Sequence, residues 1–543
     1  MIKSTVNNIL RRIKYVTGIG GIFFSLYLYG QVTEDAWVFF RDKPGAGYYL
    51  SHPHAMLSQR ALDRRARYGI PLDSTDVPVD EEYTALVAAT PGITVMARSK
   101  WLNMLHVQGA EADIRALLAF SFVDSIRFAN RRLGTVTRPA PKPDKWWRYV
   151  LRAPAGDYGN DTVPYAMHHG YDLHAEGYTG RGILIAILDA GFPRADTARI
   201  FRHIYQRGGV KDTYNFPDDT AWVYTRHWHG TTVWSVMGGL EDGQLVGTAY
   251  NADYCLYISE DTGQEMPVEE SWWVMAAERA DSVGADVINS SLGYIDFDRS
   301  EYDHTRDELG RNIAIVSRGA SMAVRKGIRV VISAGNSGSQ AWQKVGFPAD
   351  SPDVIAVGAL WADSTRASFS SMGPDALGRI KPDVMSWGAR VKVYFSGRYY
   401  YLSGTSFASP LMAGFTADMV QAYPFLTPAE YKRFLLASSD RYQHPDTLYG
   451  YGIPDFRKML NMLDSAGRHA LEHVRLYPNP AGDYIYINGL PGPFGYRVYN
   501  LRGQFLFEAE NRRLVPVKYL TKGIYLIQIR YENKAGWFKF VKL

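Results

Sequence analysis

The sequence predicts an α/β fold with a doubly wound, mostly parallel central sheet, and three observations carry this prediction. Residues 182–188 form a continuous apolar run, which is typical of a parallel strand buried on both faces. Residues 330–332 form a second run of this kind. Residues 410–422 carry apolar side chains at helical spacing. We expect a small α+β domain before this central unit and an all-β sandwich after it.

Polar residues follow the predicted elements at defined points. Asp189 comes directly after the first strand, at the sheet edge where α/β proteins bind ligands. His229 opens a second predicted helix and is followed by Gly230 and Thr231. Ser406 lies where a loop turns into the helix, among backbone N–H groups at the positive end of the helix dipole. Taken alone, the Gly404-Thr405-Ser406 stretch is also an ordinary helix N-terminus.

The three residue types suit nucleophilic catalysis by serine. A serine hydroxyl needs a histidine to take its proton and a carboxylate to hold that histidine. The chain order Asp, His, Ser is the order of the subtilisins, and over residues 165–463 the chain resembles the subtilisin-like serine peptidases, or subtilases. The resemblance implies a serine endopeptidase acting through an acyl-enzyme. In it Ser406 is the nucleophile, His229 the base and Asp189 the residue that orients His229.

The same resemblance assigns the oxyanion and substrate positions. Asn336 follows the second strand and matches the family's oxyanion donor, whose neutral amide suits a developing charge. A plain turn residue is the alternative for Asn336. Segments that match the family's substrate-pairing edges supply the predicted substrate contacts, which are Ser290, Ser291, Leu292, Gly293, Ala334 and Gly335.

Two features depart from the family pattern. Ala190 stands where subtilases usually have Ser or Thr, so one hydroxyl near Asp189 is missing. His227 lies two residues before His229, and alternate residues on a strand share a face, which leaves a metal site as an alternative. Because no third ligand is suggested, we predict no metal site and no cofactor required for catalysis. The Gly-Thr that follows position 229 favours His229 over His227 as the base.

Composition limits the other possibilities. A chain of 543 residues is long enough for several domains, and 46% hydrophobic residues is normal for globular protein. A net charge of +5 over this length does not indicate nucleic-acid binding. The single cysteine, Cys255, excludes an intramolecular disulfide framework. We expect a monomer that acts on protein or peptide substrates.

The N-terminal part predicts export and self-inhibition. Basic residues precede an uncharged apolar run at 15–29, so residues 1–30 resemble a secretory signal peptide, with an uncleaved anchor as the alternative. Residues 31–134 contain a strand–helix–strand pattern between 93 and 128 and resemble the family's propeptide, which assists folding and inhibits the site until it is cut. A proline-containing linker is expected at 135–157, the cut between 131 and 157, and the catalytic domain at 158–468.

An acidic stretch between residues 294 and 309 raises the question of calcium. Its carboxylates are hard oxygen ligands of the kind that calcium prefers, and subtilases often hold structural calcium. The spacing fits no defined calcium loop, so a solvated acidic loop is the favoured interpretation. The acids are Asp296, Asp298, Glu301, Asp303, Asp307 and Glu308.

After residue 470 short strand-like runs alternate with polar turns, which predicts a small β-sandwich at 471–543. Its motifs resemble the type IX secretion sorting domain of Bacteroidetes, which implies export across the outer membrane and then release or surface attachment. The motifs are Tyr477-Pro478-Asn479-Pro480, Tyr499-Asn500-Leu501-Arg502-Gly503, Lys522-Gly523-Ile524-Tyr525 and Phe540-Val541-Lys542-Leu543.

Two other functions fit the same residues. One is a catalytically idle surface protein that uses the fold for binding, and the other is an esterase on the same triad. Intact Asp189, His229, Asn336 and Ser406 favour the peptidase. The side-chain preference of the enzyme and its natural substrate stay open.

Overall fold

The computed structural model describes residues 32–133, 150–151, 162–424, 426–501, 504–531 and 534–543. The predicted signal peptide, most of the predicted linker, and Arg502 and Gly503 of one sorting motif lie outside the described residues. Among the described residues, no helix has the length and apolar character needed to span a membrane.

The N-terminal unit is a four-stranded antiparallel sheet with helices, in the order β2-β3-β1-β4. One face buries Ala36, Val38 and Phe40 in the unit's own core, while Trp37 packs with the central unit. Short 3₁₀ turns occur at Pro53–Ala55 and Leu117–Ala119. The elements are β1 (Thr33–Phe40), α1 (Ala46–Ser51), α2 (Gln59–Tyr68), α3 (Glu81–Ala88), β2 (Thr94–Ser99), β3 (Met104–Ala110), α4 (Glu111–Ala116) and β4 (Val123–Phe128).

The central unit contains the predicted parallel sheet, and its elements alternate between strands and helices. Two 3₁₀ turns lie at Arg199–Phe201 and Arg306–Glu308. The elements are β5 (Val150–Leu151), α5 (Val163–His168), α6 (Gly170–Ala175), β6 (Leu184–Asp189), α7 (Arg202–Gln206), β7 (Val210–Asn215), α8 (His229–Gly238), β8 (Leu240–Glu241), β9 (Leu245–Val246), β10 (Asp253–Ile258), α9 (Val268–Val283), β11 (Val287–Ser290), α10 (Ile315–Arg325), β12 (Arg329–Ser333), β13 (Ile355–Leu360), β14 (Val384–Trp387), β15 (Val391–Phe395), β16 (Arg398–Leu402), α11 (Thr405–Ala422), α12 (Pro428–Ser438) and α13 (Phe456–Glu472).

The central sheet has seven parallel strands in the order β14-β13-β12-β11-β6-β10-β7. Every residue of β6 is buried, and alternate residues face different cores. Ile185 and Ile187 lie in a core shared with α8 and α11, whereas Leu184 and Leu188 lie in a core shared with α9 and α10. The sheet is therefore covered by helices on both faces, and the predicted doubly wound α/β fold is confirmed.

The C-terminal unit is strand-rich, as predicted, and has two antiparallel sheets, β17-β18-β21 and β20-β19-β22-β23. The two sheets share a core drawn from residues 474–540. The strands are β17 (Arg475–Tyr477), β18 (Tyr484–Asn488), β19 (Gly495–Asn500), β20 (Phe505–Glu510), β21 (Leu514–Pro516), β22 (Gly523–Tyr531) and β23 (Lys534–Lys542).

Candidate active site

Asp189 and His229 meet at the carboxyl edge of the central sheet. Asp189 is the last residue of β6, His229 is the first residue of α8, and Asp189 Oδ1 lies 2.7 Å from His229 Nδ1. The same oxygen accepts a hydrogen bond from the Ala190 N–H at 2.7 Å. Gly230 allows the start of α8 to lie close to the residues that follow β6, because a Cβ at position 230 would lie 2.4 Å from the carbonyl oxygen of Gly191.

The second oxygen of Asp189 shows the effect of having alanine, and not Ser or Thr, at position 190. Asp189 Oδ2 is buried and has no hydrogen-bond partner among the described residues. Ala190, which is also buried, has no hydroxyl to offer it. The Asp189 carboxylate is therefore oriented through one oxygen, by His229 and by the Ala190 N–H.

His227 lies beside His229 and has a different environment. Its Nδ1 accepts the backbone N–H of His229 at 3.3 Å, and the backbone N–H of His227 donates to the carbonyl oxygen of Ala190 at 3.2 Å. Burial, and then the neighbouring His229, lower the pKa of His227 to about 4. The ring is therefore neutral at neutral pH, and it supports the loop that carries His229.

Ser406 lies in the first turn of α11, as predicted, and the helix begins earlier than the apolar spacing indicated, at Thr405. Pro410 has no N–H, so the carbonyl oxygen of Ser406 lacks its helical donor. The Ser291 hydroxyl donates to that oxygen at 3.0 Å, and the Ser406 hydroxyl donates to the carbonyl oxygen of Ser291 at 3.4 Å. Phe407, the next residue, has its ring centroid 6.2 Å from that of His229.

The side-chain amide of Asn336 has a defined orientation. Its Oδ1 accepts the N–H of Thr405 at 2.9 Å and the hydroxyl of Thr405 at 3.0 Å. Because a backbone N–H is a donor only, the atom that it contacts must be the amide oxygen. The Asn336 NH₂ group is thereby left to donate elsewhere, and Asn336 lines the same cleft as Ser406.

That cleft has a volume of about 630 Å³ and includes most of the predicted substrate positions. Ser291, Leu292, Gly293 and Gly335 line it. The other two predicted positions lie in the core. The Ser290 hydroxyl accepts from Trp273 Nε1 at 2.9 Å, and the backbone of Ala334 bonds to Val357 and Gly346.

The acidic residues of the 294–309 loop have several different partners. Asp303 accepts the N–H of Phe297 at 2.8 Å, Glu308 pairs with Arg131 and His304, and Asp298 accepts the N–H of Glu265 at 3.2 Å. In the part of the chain that the structure describes, no three His, Cys, Asp or Glu side chains form a group able to hold a metal ion. Cys255 is buried, and burial raises the pKa of its thiol to about 12.

Sequence reasoning did not identify two features of the site, the support of Asn336 and an acidic lining. Thr405 orients the amide of Asn336, and its only sequence signal was its place beside Ser406. Three acidic side chains, Glu265, Asp296 and Asp298, line the cleft. Two of them were noted as part of an acidic loop, but nothing in the sequence placed that loop beside Ser406.

Comparison with known proteins covers all three units. Residues 180–452 match the Subtilase family. Residues 35–144 match the Peptidase S8 propeptide domain of Bacteroidota, and residues 475–542 match the Secretion system C-terminal sorting domain.

Individual relatives are bacterial proteases. The chain is 31% identical to Subtilisin NAT of Bacillus subtilis subsp. natto over 298 residues, covering 54% of this chain and 70% of that protein. It is 30% identical to Serine protease AprX of Bacillus subtilis (strain 168) over 324 residues, covering 54% of this chain and 69% of that protein. It is 31% identical to Subtilisin of Bacillus pumilus over 298 residues, covering 54% of this chain and 96% of that protein.

Proposed function

The chain belongs to the subtilase family of serine endopeptidases, and we propose that Ser406, His229 and Asp189 carry out its peptide-bond hydrolysis. The propeptide domain implies that one partner is the enzyme's own N-terminal segment. The sorting domain implies type IX secretion and attachment to the cell surface. Protein substrates follow from the peptidase domain.

The observation that carries the proposal is the 2.7 Å contact between Asp189 Oδ1 and His229 Nδ1 at the carboxyl edge of the sheet. Ser406 is hydrogen-bonded to Ser291, which directly follows β11 at the same edge. A carboxylate on Nδ1 holds the imidazole in the tautomer whose Nε2 accepts a proton. Ser406 Oγ attacks the substrate carbonyl carbon and gives its proton to His229. His229 then returns that proton to the departing amine, which leaves an acyl-enzyme on Ser406.

The second half of the reaction reuses the same groups. Water attacks the acyl carbonyl carbon while His229 takes its proton, and the proton then goes back to Ser406 as the acid product leaves. In both halves the negative oxygen would lie against the Ser406 N–H and the Asn336 NH₂ group. The orientation of the amide by Thr405 supports this role, because it directs a donor rather than an acceptor to the cleft.

Other parts of the proposal rest on the sequence alone. These are a catalytic domain at 158–468, a cut between 131 and 157, a monomeric enzyme, and chemistry that requires no cofactor. Each step above uses protein groups and water only.

The decisive experiment replaces Ser406. We expect Ser406→Ala to abolish peptide hydrolysis and labelling by a fluorophosphonate, while circular dichroism shows a folded protein. His229→Ala should be equally severe. His227→Ala is the matched control and should keep most activity, because the ring of His227 has no part in proton transfer. An active Ser406→Ala protein, or exchanged behaviour of the two histidine variants, would refute the assignment.

A further inference from the structure

The substrate cleft has a pronounced charge asymmetry. Glu265, Asp296 and Asp298 line it together with Ser406 and Asn336. No lysine, arginine or histidine occurs among its described lining residues. This acidic cleft lies in a chain whose formal net charge is +5.

The acids are held in place by the surrounding structure. The Asp298 carboxylate accepts the N–H of Glu265, and the Asp298 N–H donates to the carbonyl oxygen of Glu265 at 2.9 Å, so the two acidic segments are tied together. Behind them, buried Glu269 accepts the N–H groups of Asp261 and Met266 at 2.8 and 3.2 Å, which fixes the loop that carries Glu265.

A buried carboxyl next to this region, Glu269, has a shifted pKa. The pKa of Glu269 is raised well above its ordinary value, first by burial and then by the negative charges of Glu260 and Glu265. Of these causes, the charge of Glu265 is the one that comes from the cleft lining.

Two nearby arginines donate hydrogen bonds to residues outside the cleft lining, while Arg306 also lies against Trp342, which lines the cleft. Arg299 pairs with Glu34 of the N-terminal unit at 2.9 Å and donates to the carbonyl oxygen of Thr33 at 2.8 Å. Arg306, whose guanidinium lies 5.9 Å from the ring of Trp342, donates to the carbonyl oxygen of Ala341.

We infer that the cleft selects substrates with a lysine or arginine side chain on the acyl side of the cleaved bond, through Glu265, Asp296 and Asp298. The inference rests on the proposed function and specifies its substrate class. Opposite charges at the rim of a binding site raise specificity and association rate more than they raise raw affinity. Basic peptides should therefore be favoured over neutral ones of equal size.

The chain itself contains a sequence of the required kind. Residues 131–157, which the proposed activating cut must interrupt, contain seven Lys or Arg residues and two Asp residues. The enzyme's first substrate would thus match the charge of its cleft.

The test uses the purified, active full-chain protein and peptides that differ in one side chain. Lysine is placed in turn at each of the four positions before the cleaved bond and is compared with norleucine, which has a similar length and no charge. We expect kcat/KM to favour lysine by about tenfold at one or more positions in 20 mM salt. The preference should fall in 500 mM salt, since salt screens charges.

Variants connect this preference to the named residues. Glu265→Gln, Asp296→Asn and Asp298→Asn should each lower kcat/KM for the lysine peptide by about twofold, the range of a partly exposed ion pair. In each variant the ratio of kcat/KM for the lysine peptide to kcat/KM for the norleucine peptide should fall, which separates loss of charge selection from a general loss of activity. Asp307→Asn removes the same charge from an exposed position of the same loop, outside the cleft lining, and should change neither value.

The two proposals fail in different ways. Hydrolysis of the norleucine peptide, abolished by Ser406→Ala, reports the proposed function alone. Equal kcat/KM for lysine and norleucine at all four positions would overturn the charge selection and leave the peptidase assignment standing. An Asp307→Asn effect as large as those of the cleft variants would overturn it as well.

Discussion

Asn336 has its amide oxygen engaged by Thr405 and lines the same cleft as Ser406, and this arrangement predicts how a substitution acts. Asn336→Leu keeps the volume and removes the donor. We expect kcat to fall by roughly 10²–10³-fold, a magnitude taken from a subtilisin, which is a relative of this enzyme. KM should change much less, because the donor acts on charge that develops in the transition state. Steady-state kinetics on one peptide measure both parameters, and an unchanged kcat would make Asn336 a turn residue only.

Asp418 is a fully buried carboxyl on α11, and it predicts a pH-dependent stability. His174 Nε2 donates to the carbonyl oxygen of Thr248 at 3.0 Å and lies 3.4 Å from Asp418 Oδ2, so the carboxylate has an ion-pair contact rather than a short hydrogen bond. Burial raises the pKa of Asp418 from 3.8 to about 7. Burial lowers the pKa of His174, but the nearby Asp418 carboxylate and the bond to the Thr248 carbonyl oxygen outweigh it, so that pKa is also raised.

Both shifts act on stability in the same direction. The folded protein holds protons that the unfolded chain releases, so the free energy of unfolding falls as pH rises, from about 4 to about 7 for Asp418 and above about 6.5 for His174. Asp418 alone contributes a loss of about 4 kcal/mol, at about 1.4 kcal/mol per pKa unit. Asp418→Asn should flatten this dependence, measured by denaturant unfolding at pH 5 and pH 8 in a Ser406→Ala background that prevents self-digestion. Glu176→Gln, an exposed carboxyl change, should leave the slope intact, and an unaltered slope in Asp418→Asn would contradict the prediction.

At the residue scale, the motifs indicated which side chains carry out the chemistry but not which residues hold them in position. Asp189, His229, Asn336 and Ser406 were predictable because each stands at the end of a strand or the start of a helix with a recognisable residue pattern. The bond from Ser291 to the Ser406 carbonyl oxygen was not predictable, because it joins residues far apart in the chain. Its cause, the missing N–H of Pro410, is visible in the sequence only once the helix register is known.

At the scale of elements, helix α9 depends on the N-terminal unit at its C-terminal end. The last carbonyl groups of a helix have no donor within it. Ser58 supplies its N–H to Ser282 O at 2.9 Å and its hydroxyl to Val283 O at 2.8 Å. Arg60 and Arg64 donate to the carbonyl oxygens of Gly284 and Ala285 respectively.

Buried charges complete this contact. Arg64 and Arg65 of α2 both bond to Asp281 of α9, and all three side chains are almost fully buried. One turn earlier on α9, Glu278 accepts the Ser99 hydroxyl at 2.6 Å and the Trp101 N–H at 2.9 Å. Glu278 and Asp281 are therefore both bonded to the N-terminal unit. The N-terminal unit therefore supplies hydrogen-bond donors to carbonyl and carboxylate groups of α9. When the unit dissociates, water must hydrogen-bond to these groups instead.

Arg64→Leu should loosen this attachment. Removing one member of a buried charge cluster costs about 3 kcal/mol, because its partner stays buried with fewer donors. After the activating cut, less N-terminal fragment should co-purify with the protease, and the lag before full activity should shorten. Gel filtration and a peptide-hydrolysis time course measure these effects. Arg67→Leu on the same helix is the control, and equal behaviour of the two variants would show that the buried pair does not hold the fragment.

The sequence pattern of α2 does not predict its buried face, and the reason is physical. Helix α2 reads QRALDRRARY, which has too few apolar residues to indicate a buried face. Its buried side chains include two arginines whose shared partner, Asp281, lies more than 200 residues later. Strand β6, by contrast, was predictable because its burial is encoded in its own apolar residues.

At the scale of the whole molecule, the three units have largely separate cores. The C-terminal core draws only on residues 474–540, and the N-terminal core only on residues 36–123. The order of the units was predictable from changes in composition along the chain. The way in which the N-terminal unit packs on α9 was not, because it depends on polar contacts between distant segments.

Separate cores predict that the C-terminal unit is dispensable for catalysis. Truncation after about Arg468 should leave a purified enzyme that hydrolyses peptides, because no cleft residue lies beyond that point. In the native host the truncated chain should accumulate in the periplasm, as shown by fractionation and immunoblotting. An inactive or insoluble truncated enzyme would favour a bracing role for this unit, and normal export would contradict the sorting role in this host.

The proline in α11 has a consequence for how the protein varies over evolution. A residue with an N–H at position 410 would donate to the Ser406 carbonyl oxygen and compete with the Ser291 hydroxyl for it. A residue without a hydroxyl at position 291 would leave that oxygen without a donor from either source. The residues at positions 291 and 410 should therefore covary among relatives, although neither takes part in proton transfer. Two distant segments together determine which donor the backbone of the nucleophile has.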